Sequence, residues 1–432
     1  MAKSNVSEWG TFKDSLKAPV HSWFTYPAGF SYKAVEHTIK KHNLKLGIDT
    51  IYDPFMGSGT TNIVAKVMGL NSVGVEAHPF VYNNITLSKL TWDLNVNQVH
   101  SFLSSLDFIE QTFPSDDVIE KANQDNFPEL VRKCYLPQSL YALWTIRQKI
   151  NNDESLGSDE RRFLKVSLIC SLRDISIAAT GWPYIAPNKI KITSMSKNAT
   201  ETYIKRSLKM LNDLKLIKES ASTLETKHRA ILGDSRSTDI PDESVDHIFT
   251  SPPYLNNFDY ADRTRLEMYF TGDAENWNDI SKNIRTKLMT SATTQISRTD
   301  SRYILSKEIQ SVSPQVYDFI IDAQRKLDEL RKVKSGKKSY DLLVTGYFND
   351  IYLILKDNFR VLKPGSTAIY ILGDSAPYGI HIPTDELIGK LGVDIGFKSY
   401  EIEILRERGG KWAENPQRHS VPLRETLVIL KK

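Results

Sequence analysis

The residues best suited to chemistry lie in two polar segments, each of which follows a short apolar run. The first is residues 53–61, DPFMGSGTT, which follows residues 49–52; the second is residues 250–254, TSPPY, which follows residues 245–249. A short β-prone apolar run predicts a strand, so each polar segment should begin where a strand ends. If the strands share a parallel sheet, both ends lie at one edge, where such sheets bind ligands. The two segments are therefore candidate halves of one site.

The first segment is typical of a tight strand-to-helix turn that approaches a ligand. Gly57 and Gly59 have no Cβ, so the backbone can turn sharply and come close to a bound group. The helix predicted to follow from Thr60 would present its free N–H groups there. No Gly-Lys-Ser/Thr follows, which distinguishes the turn from a phosphate-binding P-loop. Glu76 ends the next predicted strand about 20 residues later, where a carboxylate can accept hydrogen bonds from ribose hydroxyls.

Together the two segments resemble the signature motifs of the S-adenosylmethionine-dependent DNA amino-methyltransferases, which modify cytosine N4 or adenine N6. The resemblance covers roughly residues 20–90 and 228–432. It implies cofactor binding by Asp53, Phe55, Gly57, Gly59, Thr60, Glu76, Asp234 and Phe30, and catalysis by Ser251, Pro252, Pro253 and Tyr254. In that family the acid at position 234 binds the adenine amino group of S-adenosylmethionine. The aromatic-rich segment 21–31, which contains Phe30, packs over its methionine end.

The catalytic segment is suited to holding an exocyclic amine. Ser251 Oγ and the Pro252 carbonyl can accept its two protons, so that the nitrogen lone pair points at the methyl donor. Pro252 and Pro253 fix φ and donate no N–H, which sets the direction of the carbonyl. Tyr254 offers a ring face on which an unstacked base can lie. Orientation then supplies most of the catalysis, with no covalent enzyme intermediate.

Several activities remain open. Serine at position 251 favours cytosine N4, because aspartate is commoner there in the adenine-N6 enzymes, and adenine N6 is the alternative. An RNA methyltransferase acting on the guanine amino group would carry a similar motif. A nucleic-acid-binding protein without activity is a third possibility, although intact Ser251, Pro252, Gly57 and Glu76 argue against it. Methylation of a protein amide is more distant.

The order of elements predicts an α/β fold with a seven-stranded, doubly wound, Rossmann-like methyltransferase sheet and a mostly helical inserted domain. Strands are predicted at residues 49–52, 72–76, 229–234, 245–249, 366–372, 400–404 and 426–430, and helices at 60–70, 139–150, 158–177, 203–217, 347–359 and 384–391. Residues 1–90 and 228–432 would form the catalytic domain. Residues 91–227 would form a helical insertion that reads the target sequence, aided by the polar region 262–313.

Composition and charge narrow the class of protein to which this sequence can belong. The 432 residues are 40% hydrophobic and 25% charged, with a net charge of +4, as in an ordinary globular protein. No apolar run approaches the ~20 residues of a membrane span, and no signal-peptide core is evident, which predicts a cytoplasmic protein. Cys134 and Cys170 do not follow proline, so the Pro-Cys chemistry of carbon-5 cytosine methyltransferases is disfavoured. No histidine or cysteine cluster predicts a metal site.

Double-stranded DNA is the expected partner, and a cognate restriction endonuclease is a possible second one. Two basic stretches could hold the DNA backbone: Lys189, Lys191, Lys197, Lys205, Arg206 and Lys209 after the Trp-Pro-Tyr segment 182–184, and Arg325, Lys326, Arg331, Lys332, Lys334, Lys337 and Lys338. Basic runs on helices are more often solvated faces. Residues 418–425 resemble the family's lead-in to its last strand.

Overall fold

A seven-stranded sheet forms the frame of the molecule. The computed structural model describes residues 6–25, 29–179, 184–408 and 421–432. The strands in these ranges are β1 (Thr50–Asp53), β2 (Asn71–Glu76), β3 (Ala178–Ala179), β4 (Ala186–Ile190), β5 (His228–Leu232), β6 (Val245–Thr250), β7 (Leu362–Gly373), β8 (Ser399–Arg408) and β9 (Leu423–Lys431). The large sheet has the order β5-β2-β1-β6-β7-β9-β8, and β3 pairs with β4 separately. The seven predicted strands and the doubly wound α/β class are confirmed.

The direction of the strands fixes where a ligand can bind. Neighbours from β5 to β7 are parallel, whereas β9 is antiparallel to both β7 and β8. The chain order runs outward from β1 to β5 on one side and from β6 to β7 on the other, with β9 inserted between β7 and the edge strand β8. Strands β1 and β6 are the adjacent strands where the order reverses. In open α/β sheets, ligands bind outside the carboxyl ends of the strands at this switch point. The two polar segments found in the sequence follow these two strands.

Helices cover the sheet and build the insertion. In the described ranges they are α1 (Tyr32–Lys41), α2 (Thr60–Met68), α3 (Leu87–Leu90), α4 (Val96–Ser104), α5 (Asp116–Asn126), α6 (Glu129–Arg132), α7 (Pro137–Asn152), α8 (Ser158–Ile175), α9 (Ala199–Ser220), α10 (Tyr260–Arg263), α11 (Arg265–Thr271), α12 (Trp277–Ile280), α13 (Lys307–Val312), α14 (Pro314–Val333), α15 (Tyr340–Val361) and α16 (Thr384–Ile395). The six predicted helices are all present, and four of them extend beyond their predicted ends. None of the described helices is long and apolar enough to cross a membrane.

The insertion shares its hydrophobic core with the catalytic part of the chain. One buried cluster joins Phe163 and Tyr203 of the insertion to Ile63 and Ile85 before it and to Phe270 after it. A second buried cluster packs α14, α15 and α16 against the sheet, and a third packs α1 and α2 against it. The boundaries at residues 90 and 228 stay a prediction, and the shared core shows that the insertion is anchored along its length.

Candidate active site

A buried aspartate joins the two polar segments. Asp53 is fully inaccessible to solvent and accepts hydrogen bonds from Thr61 Oγ1 at 2.8 Å, Thr250 Oγ1 at 2.6 Å and the Phe55 N–H at 3.0 Å. Burial raises the pKa of this carboxyl to about 6, although the three donors act in the opposite direction. Because Thr250 begins the second segment, the hydrogen bond from Thr250 brings the glycine turn and the diproline corner to adjacent positions.

The two segments open onto one cavity at the carboxyl ends of the central strands. Of the predicted site residues, the cavity is lined by Phe30, Phe55, Gly57, Thr60, Glu76, Asp234, Ser251 and Pro253. Asp53, Gly59, Pro252 and Tyr254 do not line it. Gly59 has φ of +86°, a left-handed conformation that glycine adopts readily, and it precedes α2 as the N-cap. Asp53 and Gly59 thus shape the turn from behind the cavity wall.

Glu76 places a carboxylate in the cavity. One of its oxygens accepts the His78 N–H at 2.7 Å. Burial raises the pKa of Glu76 to about 7, while hydrogen bonds from the backbone N–H groups of His78 and Gly57 partly offset this effect. A carboxyl group in this state can take either protonation form near neutral pH, and its ionised form is the stronger acceptor for hydroxyl groups.

Asp234 is held by an arginine that the sequence patterns did not single out. Arg236 donates from Nε to Asp234 Oδ1 at 2.9 Å and from Nη2 to Asp234 Oδ2 at 2.7 Å, and it also lines the cavity. Its Nη1 contacts Asp350 Oδ1 at 2.9 Å, and Asp350 Oδ2 accepts the Thr290 N–H at 2.7 Å. This chain of contacts ends at Thr290, which directly follows residues 287–289 of the cavity wall.

Tyr254 is buried beside the cavity, with 6% of its surface exposed. Its hydroxyl donates to Glu425 Oε1 at 3.0 Å, and Arg406 Nε donates to Glu425 Oε2 at 2.6 Å. The Arg408 guanidinium lies 5.4 Å from the centre of the tyrosine ring. Burial is the main reason that the pKa of Tyr254 rises well above its ordinary value. Strands β8 and β9 therefore position the ring of a residue that follows β6.

A buried lysine connects the N-terminal segment to the glycine turn. Lys89 is fully inaccessible to solvent, and its Nζ contacts the His21 carbonyl and Ser58 Oγ, each at 3.3 Å. Burial lowers the pKa of Lys89 to about 7. Phe30, in the same N-terminal segment, packs edge-on against Phe249 with ring centres 5.4 Å apart. Residues 26–28 of that segment lie outside the described residues.

The first basic stretch is largely used inside the protein. Lys191 and Lys197 donate to the backbone carbonyls of residues 173 and 174, and Lys205, Arg206 and Lys209 pair with Glu201, Asp174 and Asp213. Trp182 and Pro183 of the segment predicted beside it lie outside the described part of the chain, as do residues 418–420 near the last strand. Within that part, no three His, Cys, Asp or Glu side chains form a metal-binding group.

Comparison with known proteins agrees with this geometry. A family profile described as DNA methylase (N6_N4_Mtase) matches residues 4–87. The Type II methyltransferase M.BsoBI of Geobacillus stearothermophilus is 27% identical over 471 residues, covering 98% of this chain and 87% of that protein. The Type II methyltransferase M.AvaI of Nostoc sp. is 23% identical, with 98% and 88% covered. The Type II methyltransferase M.MvaI of Kocuria varians is 22% identical, with 92% and 85% covered.

The sheet order and the paired motifs define a Rossmann-like methyltransferase. The similarities above support the same class, since the chain resembles DNA amino-methyltransferases, which transfer methyl groups to DNA bases, over almost its whole length.

Proposed function

We propose that this protein transfers a methyl group from S-adenosylmethionine to the exocyclic amine of a base flipped out of double-stranded DNA, at cytosine N4 in preference to adenine N6. The observation that carries the proposal is the shared cavity. Glu76 of the cofactor half and Ser251 of the catalytic half line the same space, and the hydrogen bond between Asp53 and Thr250 holds the halves together. The preference for cytosine rests on the serine at position 251.

The lining of the cavity fits the proposed methyl donor in character. Small-molecule sites are mostly apolar, with a few polar groups that fix orientation. Here Phe30, Phe55 and Ile354 supply apolar surface, Glu76 supplies an acceptor for ribose hydroxyls, and Asp234 supplies one for the adenine amino group. When bound, S-adenosylmethionine supplies an electrophilic methyl group on a sulfonium ion.

The catalytic corner would act by holding the amine. Ser251 Oγ and the Pro252 carbonyl accept its protons and orient its lone pair toward the cavity. The flipped base would stack on the ring of Tyr254. The Arg408 guanidinium lies over the same ring, so the base and Arg408 would compete for it. Unstacking and unpairing a base costs a few kcal/mol, and contacts to the DNA backbone must offset that cost.

The same proposal extends to how the target sequence is read and to the enzyme with which this protein would act. Residues 91–227, together with 262–313, would read the sequence that flanks the target base. Because the similar proteins are Type II methyltransferases, we propose that this chain protects DNA against a cognate restriction endonuclease.

Base-resolution mapping of DNA from cells that express the protein tests the proposal. Cytosine N4 methylation at one sequence, present with wild type and lost with Ser251→Ala, would support it. Adenine N6 methylation would select the alternative base. Labelling of transfer RNA instead of duplex DNA with labelled S-adenosylmethionine would support the RNA alternative. If no methyl group is transferred to either DNA or RNA, the remaining alternative is a nucleic-acid-binding protein without activity.

A further inference from the structure

A second groove lies beside the catalytic corner. Its walls are residues 255–257, which directly follow Tyr254, residues 334–340 between α14 and α15, and residues 374–379 after β7. The first and third walls are tied together because Ser375 Oγ donates to the Leu255 carbonyl. A molecule bound in this groove would therefore lie next to the residue that would stack on the target base.

The lysines of the second wall differ from the basic residues that precede them. On α14, Lys326 pairs with Asp322, and Lys332 pairs with Asp328. Beyond the end of that helix, Lys334, Lys337 and Lys338 are exposed, and no acidic partner within ion-pair distance is found for them among the described residues. Positive charge on this segment is therefore compensated along the helix and uncompensated in the loop.

The lysine loop projects into solvent but is fixed at its base. Gly336 has φ of +78°, and no atom lies within 4 Å of the position that a Cβ would take. The Lys338 N–H donates to Tyr378 Oη at 3.0 Å, and the rings of Tyr340 and Tyr378 meet edge to face with centres 4.8 Å apart. These contacts hold Lys334 and Lys338 along the groove that they line.

The acid in the groove does not cancel this charge. Asp374 lines the groove but is 2% exposed, and its carboxylate accepts from His381 Nε2 at 2.8 Å and from the Arg424 N–H at 2.6 Å. Arg408 adds a further cation to the lining. Lysines near a helix C-terminus also stabilise its dipole, and Lys334, which directly follows Val333, has that role as well. Lys338 lies five residues past Val333, where the dipole has little effect.

We infer that this groove binds the sugar-phosphate backbone of duplex DNA next to the flipped nucleotide, with Lys334 and Lys338 contacting phosphates. The inference rests on the proposed function, since it assigns the place where the same DNA substrate is held. Phosphate contacts fix the register of a protein on DNA without reading its sequence. Target reading remains with residues 91–227 and 262–313, and the groove supplies binding energy that offsets base flipping.

Two matched double variants test the electrostatic part. We expect Lys334→Gln with Lys338→Gln to weaken binding of a fluorescein-labelled 30-base-pair duplex by about tenfold or more at low salt, and to reduce the slope of log K against log salt by about 2. The control, Lys326→Gln with Lys332→Gln, removes the same charge from α14 and should change binding less than about twofold. Equal effects of the two pairs would overturn the inference, because only net charge would then matter.

A cross-linking experiment tests position. Cys134 and Cys170 are both buried, and burial raises the pKa of each thiol to about 12, so a photoactivatable thiol reagent should label an introduced surface cysteine selectively. Full-length Ser335→Cys carrying the reagent should cross-link to the duplex. The same label at Ser311→Cys, exposed on α13, should not. Preferential cross-linking of Ser335→Cys to transfer RNA would overturn DNA as the occupant.

The outcomes separate the groove from the proposed activity. If the protein methylates DNA but neither lysine variant alters binding, the groove assignment is wrong and the activity stands. If Ser335→Cys cross-links to duplex DNA while no methyl transfer occurs, the groove stands and the proposed function fails.

Discussion

The glycine turn and the diproline corner lie side by side at the sheet edge but are held in place by different means. The turn is held partly by its own residues, since Asp53 accepts hydrogen bonds from the Phe55 N–H and Thr61 Oγ1, and partly by Thr250 and Lys89. The corner depends on distant ones, because Tyr254 is held by Glu425, which lies 171 positions along the chain. The sequence motif therefore specifies much of the glycine turn, whereas the diproline corner takes its final position only when the sheet is complete. Substitutions should therefore act on cofactor binding in the first region and on catalysis in the second.

The strongest test of this division is Gly57→Val. Gly57 has φ of +53° and lines the cavity, so valine would be strained there and would fill space meant for the cofactor. We expect S-adenosylmethionine affinity, measured by calorimetry, to fall at least about 100-fold, given backbone strain of about 1–3 kcal/mol in addition to steric exclusion. Gly47→Val is the control, because Gly47 also has positive φ but lies outside the cavity. Unchanged cofactor affinity in Gly57→Val would refute the cofactor site.

Tyr254→Ala should affect the other half. Loss of base stacking is worth about 1–3 kcal/mol, so we expect kcat/KM for DNA to fall between about 5-fold and 150-fold while cofactor affinity stays within twofold. Tyr254→Phe keeps the ring and removes only the hydrogen bond to Glu425, so its loss should be about tenfold at most. Wild-type kcat/KM in the alanine variant would show that the ring does not stack on the base.

Cofactor affinity should also depend on pH through Glu76. Its pKa is raised to about 7, so the carboxyl is mostly neutral at pH 6 and mostly ionised at pH 8. Because the ionised form accepts hydrogen bonds from hydroxyls more strongly, S-adenosylmethionine affinity should rise up to about tenfold over this interval. The Glu76→Gln variant should bind S-adenosylmethionine weakly, and its affinity should change less with pH. The same pH dependence in that variant would assign the titration to another group.

The smallest expected effect concerns the link between the turn and the N-terminal segment. Lys89→Met removes the contacts of Nζ with the His21 carbonyl and Ser58 Oγ, so cofactor affinity should fall about threefold to tenfold. Burial lowers the pKa of Lys89 to about 7, so between about pH 10 and pH 7 the unfolded chain binds a proton that the folded chain does not. The free energy of unfolding of the wild-type protein therefore decreases as pH falls over this interval. The variant should therefore lose less stability than wild type over that interval in urea unfolding. Lys66→Met serves as a control, because Lys66 Nζ contacts the Leu90 carbonyl instead of the glycine turn. An equal loss of cofactor affinity in that variant would argue against the specific link.

Sequence reasoning located most of the sheet because strand patterns and turn residues are local signals. Segment 53–61 predicted the turn, the helix after it and the acid at position 76, all of which meet at the cavity. The expected convergence of the two segments was also correct, because β1 and β6 are neighbours.

Other contacts could not be read from a motif. Arg236, Lys89 and Glu425 act on the site through partners that only the folded chain brings near. Arg236 does lie two residues after Asp234, but a single arginine in a polar turn carries no distinctive pattern. Likewise, the basic run 325–338 does not show by itself which cations are already paired. Side-chain geometry separates them, since α14 places its acids and lysines one turn apart.

The position of β9 in the sheet has a consequence for biosynthesis. This strand lies between β7 and β8 and brings Glu425 to Tyr254, although both polar segments are translated long before it. A ribosome that has completed residue 400 has synthesised every residue that lines the proposed cofactor cavity, but not the strand that supports the tyrosine. Nascent chains arrested there should bind the methyl donor before they can methylate, so catalytic competence would emerge late in translation.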